Sequence, residues 1–132
     1  MTARQWLGRA RGIDREISVL MSAKAETRDR LLQITQNYQT DGTHSTKDPH
    51  KYDQLVAFED MIDRMAGELI TVKAEISGMI MRLEDGRVRR VLIGYYVRCM
   101  TMEEIAVEQH YSYRQVKRFH RAGVDAVEDL LK

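Results

Sequence analysis

Residues 101–121 read TMEEIAVEQHYSYRQVKRFHR, and this stretch contains the same helix-starting pattern twice. Thr101 is followed three positions later by Glu104, and Ser112 by Gln115. In such a capping box each of the two side chains bonds the backbone amide of the other residue. Two boxes eleven residues apart enclose a helix of about two turns and a bend of three or four residues. The spacing therefore predicts a helix-turn-helix.

The apolar positions of this stretch fit the same unit. The residues expected to face inward are Ile105, Ala106, Tyr111, Val116 and Phe119. His110 stands at the end of the first helix, where a left-handed backbone is usual and glycine would be the default. Histidine is among the few residues enriched at positive φ, so His110 is compatible with that turn.

The outer face of the second helix is basic. Within 110–121 there are four cations and no acid. Arg114 and Arg118 lie one turn apart and are the candidates for base contacts, because the arginine fork matches the guanine edge. Tyr113 is assigned to a thymine methyl or a phosphate, and the other polar residues to phosphates, which position a protein without reading sequence. The full candidate DNA-binding set is Thr101, Ser112, Tyr113, Arg114, Gln115, Lys117, Arg118 and Arg121.

Two alternatives exist for this basic helix. A helix-turn-helix can serve as a protein-binding corner, and a basic helical face can simply be solvated. DNA contact is the preferred interpretation, because capping, bend, core spacing and charge agree with one another.

Residues 1–84 contain two heptad-like series, which predict a long antiparallel helical hairpin. Their steps alternate between three and four, and the first series is interrupted at Lys24 and Thr27. The first series is Trp6, Ala10, Ile13, Ile17, Leu20, Lys24, Thr27, Leu31 and Ile34, and the second is Leu55, Phe58, Ile62, Met65, Leu69, Val72, Ile76, Met79 and Leu83.

The connector predicted at about 37–50 is polar and contains Gly42 and Pro49. Asp48 is expected to cap the second helix, with Pro49 in its first turn. His44, Asp48 and His50 also suggest a metal site. Their spacing in a polar loop preorganises nothing and no cysteine accompanies them, so ordinary loop residues are preferred and no metal or other cofactor is expected.

A methionine-rich stripe follows the second series, at Met61, Met65, Met79 and Met81. Such a stripe can form an adaptable binding surface, but at seam positions methionine is more often core. A two-helix hairpin leaves one side of its seam partly exposed to water. The C-terminal helices or a second copy of the chain must cover it, so a homodimer is one expected state.

Composition favours an all-α fold, with one proline among 132 residues and no alternating strand pattern. Net charge is +1, but residues 85–132 hold 9 Lys and Arg against 7 Asp and Glu, whereas residues 1–84 hold 12 against 13. The lone Cys99 excludes an internal disulfide, and no segment resembles a signal peptide or membrane span. We expect a soluble, cytoplasmic protein of two segments, 1–84 and 85–132.

Two glycines, Gly86 and Gly123, bear on where the helices of the last segment begin and end. Glu84-Asp85-Gly86 is expected to break the long second helix, and a short helix then ends near Arg98-Cys99-Met100. Gly123 is expected to weaken the end of the recognition helix, so that its last turns kink or fray. Cys99 is expected to be a linker or partly buried thiol, and nothing in the sequence indicates catalysis.

Residues 87–122 resemble region 4 of sigma-70-type RNA polymerase sigma factors. The likeness is closest to small phage and prophage proteins that carry this unit at the C-terminus, such as late-gene activators of the ArpU type. Those proteins also begin with a motif like Ala3-Arg-Gln-Trp-Leu-Gly-Arg-Ala10, followed by Ile13-Asp-Arg-Glu-Ile17. The pattern is broken at His110, Gly94 and Gly123, where the usual residues are Gly, a larger residue, and Ala or Leu.

The resemblance implies a promoter-binding unit. In sigma region 4 the recognition helix reads the −35 element, and its base-reading positions correspond to Tyr113, Arg114 and Arg118 here. Tyr113 stands where housekeeping sigma factors commonly have a basic residue, which implies a different target sequence. The chain lacks the aromatic cluster that melts the −10 element, so we do not expect it to initiate transcription alone.

Three functions compete at this point. The first is a phage-type transcriptional regulator that binds promoter or operator DNA and contacts RNA polymerase or a second copy of itself. The second is a DNA-packaging protein like a small terminase subunit, although in those the DNA-binding unit usually comes first. The third is an adaptor that binds polymerase or a sigma factor without touching DNA.

Overall fold

The computed structural model describes residues 1–40 and 52–132, apart from the side chains of residues 35 and 37–40. The candidate metal ligands His44, Asp48 and His50, the predicted cap at Asp48 and Pro49 lie outside the described residues. Every regular element within them is helical, which confirms the all-α prediction. Among the same residues no helix is both apolar enough and long enough to pass through a bilayer.

The chain forms six α-helices and one π-helical segment in its described part. They are α1 Ala3–Leu7, α2 Arg9–Thr40, α3 Asp53–Ile80, α4 Gly86–Leu92, the π-helix Ile93–Val97, α5 Met102–Gln109 and α6 Tyr113–Leu131. α2 continues to Thr40 and so passes the predicted start of the connector at Asn37. The expected break at 84–86 is present, since α3 ends at Ile80 and α4 begins at Gly86. Asp85 caps α4, because its side chain accepts a hydrogen bond from Arg87 N.

The first heptad series does not begin within one continuous helix. Thr2 and Gln5 form a capping box that starts α1. Helix α1 ends at Gly8, whose backbone N–H donates to Arg4 O and Trp6 O. Helix α2 begins at Arg9. The sequence pattern crosses this joint without a change of period, which explains why periodicity alone did not reveal it.

The chain separates into two compact units. The core unit comprises Met1–Asp14 with Glu68–Lys132, and the paired-helix unit comprises Arg15–Gly67. These units differ from the predicted segments 1–84 and 85–132, because both ends of the first segment join the core unit. Leu7, Ala10, Ile76 and Ile80 are fully buried in the same cluster as residues of α4 and α6.

Two apolar clusters hold the core unit. The larger contains residues of α1, α2, α3, α4 and α6, with Tyr96 from the π-helix. The smaller contains Val91, Ile105, Ala106 and Val116 and lies between α4, α5 and α6. A hydrogen bond also joins the start of α1 to α6 in this unit, because Ala3 N donates to Glu128 Oε2 at 2.7 Å.

Gly123 corrects one expectation. α6 runs as one helix from Tyr113 to Leu131, so the predicted kink or fraying at Gly123 is wrong. A Cβ at Gly123 would lie 2.6 Å from Leu92 Cδ1 and 2.8 Å from Val88 Cγ1. The glycine therefore lets α6 approach α4 closely, and packing of the helix outweighs the propensity cost of about 1 kcal/mol.

In the paired-helix unit, the side chains described are those of residues 15–34, 36 and 52–67, and none of them is buried. Most of its seam residues are half-buried, as at Leu20, Phe58 and Ile62, whereas Ile34 is exposed. Among the described residues of this unit, Lys24 Nζ and Glu59 Oε1 form an ion pair between the two helices at 3.0 Å.

Candidate nucleic-acid interface

The two predicted capping boxes are both present. Glu104 N donates to Thr101 Oγ1 at 3.2 Å, and Thr101 N donates to Glu104 Oε1 at 3.0 Å. At the second box, Gln115 N donates to Ser112 Oγ at 3.1 Å and Ser112 N to Gln115 Oε1 at 2.9 Å. The bonds with Thr101 lower the pKa of Glu104, so the first box is held by a carboxylate.

The capping bonds limit what these residues can offer a ligand. Thr101, Ser112 and Gln115 are exposed, but their side-chain oxygens already serve the helix ends. The side-chain NH₂ of Gln115 is not used in its box. Gln115 can therefore cap α6 and donate to a phosphate at the same time.

The turn between α5 and α6 has the geometry that was predicted for it. His110 adopts the left-handed conformation, with φ 59° and ψ 42°. Tyr111 N donates to Ala106 O at 3.0 Å, and the rings of Tyr111 and Phe119 lie 5.2 Å apart. The turn is thus closed by a backbone bond and an aromatic contact, which holds the N-terminus of α6 against α5.

The inner face of α6 determines which side chains point outward. Val116 is fully buried, and His120, Gly123, Val124 and Val127 are buried behind it. Phe119 packs against both clusters of the core unit. Because these positions recur at helical spacing, the register of α6 is fixed over about three turns.

The cations predicted from sequence lie together on the opposite face. All of them are exposed, and they line an open depression of about 600 Å³: Arg114, Lys117, Arg118 and Arg121. Tyr113 is 46% exposed, and Lys117 Nζ lies 5.3 Å from its ring centroid. Among the residues that the structure describes, no acid forms a salt bridge with these four cations. The depression therefore presents uncompensated positive charge.

A fifth cation, Arg87, lies beside this helix, and sequence reasoning did not assign it. The Arg87 guanidinium lies 5.2 Å from the ring centroid of Phe119. Its bonds to Asp85 hold the pKa of that carboxyl below its usual range and raise the pKa of Arg87. The Arg87 guanidinium is therefore already paired with Asp85, the residue that caps α4.

A buried polar pair behind the basic face was also missed. Tyr96 Oη and His120 Nε2 lie 2.7 Å apart in the core. Burial lowers the pKa of His120 to about 4 and raises the pKa of Tyr96 to about 12, so both groups are neutral near pH 7. The position of His120, one turn after Val116, was the signal that could have found it.

Arg11 connects the start of α2 to the π-helix. Its Nη1 donates to Tyr95 O at 2.8 Å and to Met100 O at 3.1 Å, and its guanidinium lies 4.0 Å from the Tyr95 ring centroid. The π-helix and the segment after it leave carbonyls without helical partners. Arg11 satisfies two of them and so supports the element that carries Tyr96.

Cys99 is half-buried, in agreement with the sequence, and has a positive φ of 57°. Burial and the neighbouring Asp14 raise the pKa of its thiol, which favours the protonated and less nucleophilic form. In the described part of the chain, no three His, Cys, Asp or Glu residues come together as metal ligands would.

The chain belongs to the family described as protein of unknown function (DUF1492), whose profile matches residues 33–128. That match includes only the last quarter of α2, from residue 33 to Thr40, but all of α3 to α5 and α6 up to Glu128. Neither the comparison with curated proteins nor the comparison with solved structures gave a match.

Proposed function

We propose that this protein is a sequence-specific DNA-binding transcriptional regulator of the phage or prophage type, in which α5, the turn at His110 and α6 form the DNA-binding helix-turn-helix. The residues proposed to contact DNA are Thr101, Ser112, Tyr113, Arg114, Gln115, Lys117, Arg118 and Arg121. Such a regulator acts in the cytoplasm of a bacterial host and needs neither a catalytic centre nor a cofactor. Its partners are promoter or operator DNA and RNA polymerase.

One observation carries the proposal. The face of α6 opposite the buried Val116 presents four exposed cations around one open depression, with no described acid paired to them. A duplex offers phosphates on both sides of its major groove, and an α-helix fits within that groove. A basic helix face held in a fixed register suits such a surface better than it suits a neutral ligand.

The caps and the turn support the orientation of the helix. The box at Ser112 and Gln115 fixes the start of α6, and the first three residues of the helix, Tyr113 to Gln115, are exposed. In a helix-turn-helix these first turns approach base edges, while neighbouring cations hold phosphates. Arg114 and Arg118 are the proposed base-reading pair, with Tyr113 between them and the turn.

The first experiment identifies the target and then tests the site. Bound duplexes are selected from a random pool and sequenced, and the affinity of the full chain for the selected site is measured by fluorescence anisotropy. We expect Arg114→Ala with Arg118→Ala to weaken binding about 100-fold or more, since each bidentate guanine contact is worth about 1–3 kcal/mol. Lys117→Ala should weaken all sequences alike and reduce the salt dependence by about one phosphate contact.

The matched control removes the same charge elsewhere. Arg30→Ala with Arg64→Ala deletes two exposed arginines from α2 and α3. This variant should bind the selected site within about threefold of the unchanged chain if charge deletion alone matters little. Equal losses in the two double variants would contradict the site assignment.

Two other outcomes would replace the proposal. Capture of RNA polymerase without binding to any duplex would identify an adaptor. A ring of many copies in mass photometry, together with binding to DNA ends, would favour a packaging protein.

A further inference from the structure

The exposed face of α6 changes its charge along the helix. The first part holds the four cations of the depression, which recur at i, i+3, i+4 and i+7 from Arg114 to Arg121. The next exposed positions at helical spacing are Asp125 and Asp129. On a regular helix Asp125 lies about 20° around the axis from Arg114, and Asp129 about 60°. One face of one helix is therefore basic over its first turns and acidic over its last.

The two aspartates do not stabilise the core unit through ion pairs. Within the described part of the chain neither forms one, although Asp125 lies one turn from Arg121. Glu128, by contrast, accepts from Ala3 N and so joins α6 to α1. Aspartate is among the weaker helix formers, and Asp129 lies in the last turn of α6, where the helix dipole disfavours a carboxylate. Their positions therefore indicate a role at the surface.

The basic part of α6 has about the length that one groove accepts. From Arg114 to Arg121 the helix rises about 10 Å, and the major groove is about 12 Å wide. The whole helix has 19 residues and is about 28 Å long. A duplex that takes only the first two turns into its groove leaves Asp125 and Asp129 outside. A duplex that lies along the whole helix brings phosphates next to both carboxylates.

We propose that Asp125 and Asp129 determine specificity at the DNA-binding face, because they restrict the duplex to the first two turns of α6 and weaken sequence-independent binding along the rest of the helix. Two like charges 4 Å apart in water repel enough to change an affinity about fivefold. Binding along the whole helix meets this repulsion at two positions, whereas binding through the first two turns avoids it. This role rests on the proposed function, since it requires that α6 binds a duplex.

The first test compares two duplexes, the site selected from the random pool and a scrambled duplex of the same length and composition. Fluorescence anisotropy gives the affinity of the full chain for each. Asp125→Asn with Asp129→Asn should strengthen binding to the scrambled duplex about tenfold or more, because the repulsion of phosphates is removed. Binding to the selected site should strengthen by less than about threefold, since both carboxylates lie outside its groove.

The matched control removes two exposed carboxylates from another helix. Asp60→Asn with Asp63→Asn changes the net charge by the same amount and lies in the part of α3 that belongs to the paired-helix unit. It should change the affinity for the scrambled duplex by less than about threefold. An equal gain in this control, an equal gain for both duplexes, or no gain for the scrambled duplex would each overturn the role of Asp125 and Asp129.

The second test extends the basic part of α6 to the end of the helix. Asp125→Lys with Asp129→Lys should steepen the salt dependence of binding to the scrambled duplex by about two phosphate contacts, because the whole helix then offers cations to the backbone. An unchanged salt dependence would overturn the proposal but leave DNA binding by α6 intact. If the unchanged chain binds neither duplex, the proposed function itself fails, and the role of the two aspartates fails with it.

Discussion

The core unit and the paired-helix unit are built from the same kinds of residue but differ in what they bury. Helix α3 belongs to both units, and it contains Ile62 in the paired-helix unit and Ile76 in the core unit. Ile76 is fully buried, whereas Ile62 is half-buried beside an open concavity. Heptad spacing is the same at both positions. The difference shows that an apolar seam gains a core only where further helices cover it.

The largest expected difference between the units comes from removing these two side chains. Ile76→Ala should lower the free energy of unfolding by about 3–4 kcal/mol, because it leaves a cavity in a closed core. Ile62→Ala should cost about 1 kcal/mol in the monomer, since water already reaches that side of the seam. Urea denaturation of the full chain at submicromolar concentration measures both values. Similar losses for the two variants would mean that the units do not differ in packing.

Glycine substitutions should sharpen the comparison because their effects have opposite signs. Gly123→Ala should destabilise by about 2 kcal/mol, since its Cβ would overlap the buried Leu92 and Val88 side chains. Gly67→Ala in the paired-helix unit should stabilise by about 0.5–1 kcal/mol, because nothing lies within 4 Å of its Cβ and alanine favours a helix. Thermal unfolding followed by circular dichroism distinguishes them. A stabilising Gly123→Ala would contradict close packing of α6 on α4.

The smallest of the three effects depends on pH and belongs to the core unit. The pKa of His120 is about 4 in the folded chain, against an ordinary value of 6.5. The unfolded chain therefore takes up a proton first as pH falls, so stability should be complete above pH 6.5 and decrease between pH 6.5 and about 4. We expect a loss of roughly 1–2 kcal/mol once screening by solvent is allowed for.

His120→Gln is the control for this pH dependence, since glutamine can still bond Tyr96 Oη but does not titrate in this range. Its stability should change less between pH 6.5 and 4 than that of the unchanged chain. If both chains lose stability equally over this interval, another group is responsible.

The sequence predicted the local structure around the candidate site well because the relevant interactions are local. Both capping boxes join residues three positions apart, and the left-handed turn at His110 depends on one residue and its neighbours. The outward position of Arg114 and Arg118 followed from helical spacing relative to Val116. Such contacts need no knowledge of distant chain segments.

The sequence could not predict which distant segments share the core. The burial of Ile80 with α4 and α6 and the Tyr96–His120 pair depend on residues far apart in the chain. Gly123 shows the same limit most clearly. Its propensity indicated a weak helix end, but its lack of a side chain serves contact with Leu92 of α4.

The sequence by itself determined the all-α class, the two caps, the turn and the basic face of α6, because helix starts and faces are read from spacings of three, four and seven residues. The tertiary structure alone decided that the chain's first fourteen residues and the end of α3 join the C-terminal helices, and that no described side chain of the paired-helix unit is buried. The physical reason is that burial depends on which surfaces meet, and an apolar period records only that a surface needs a partner.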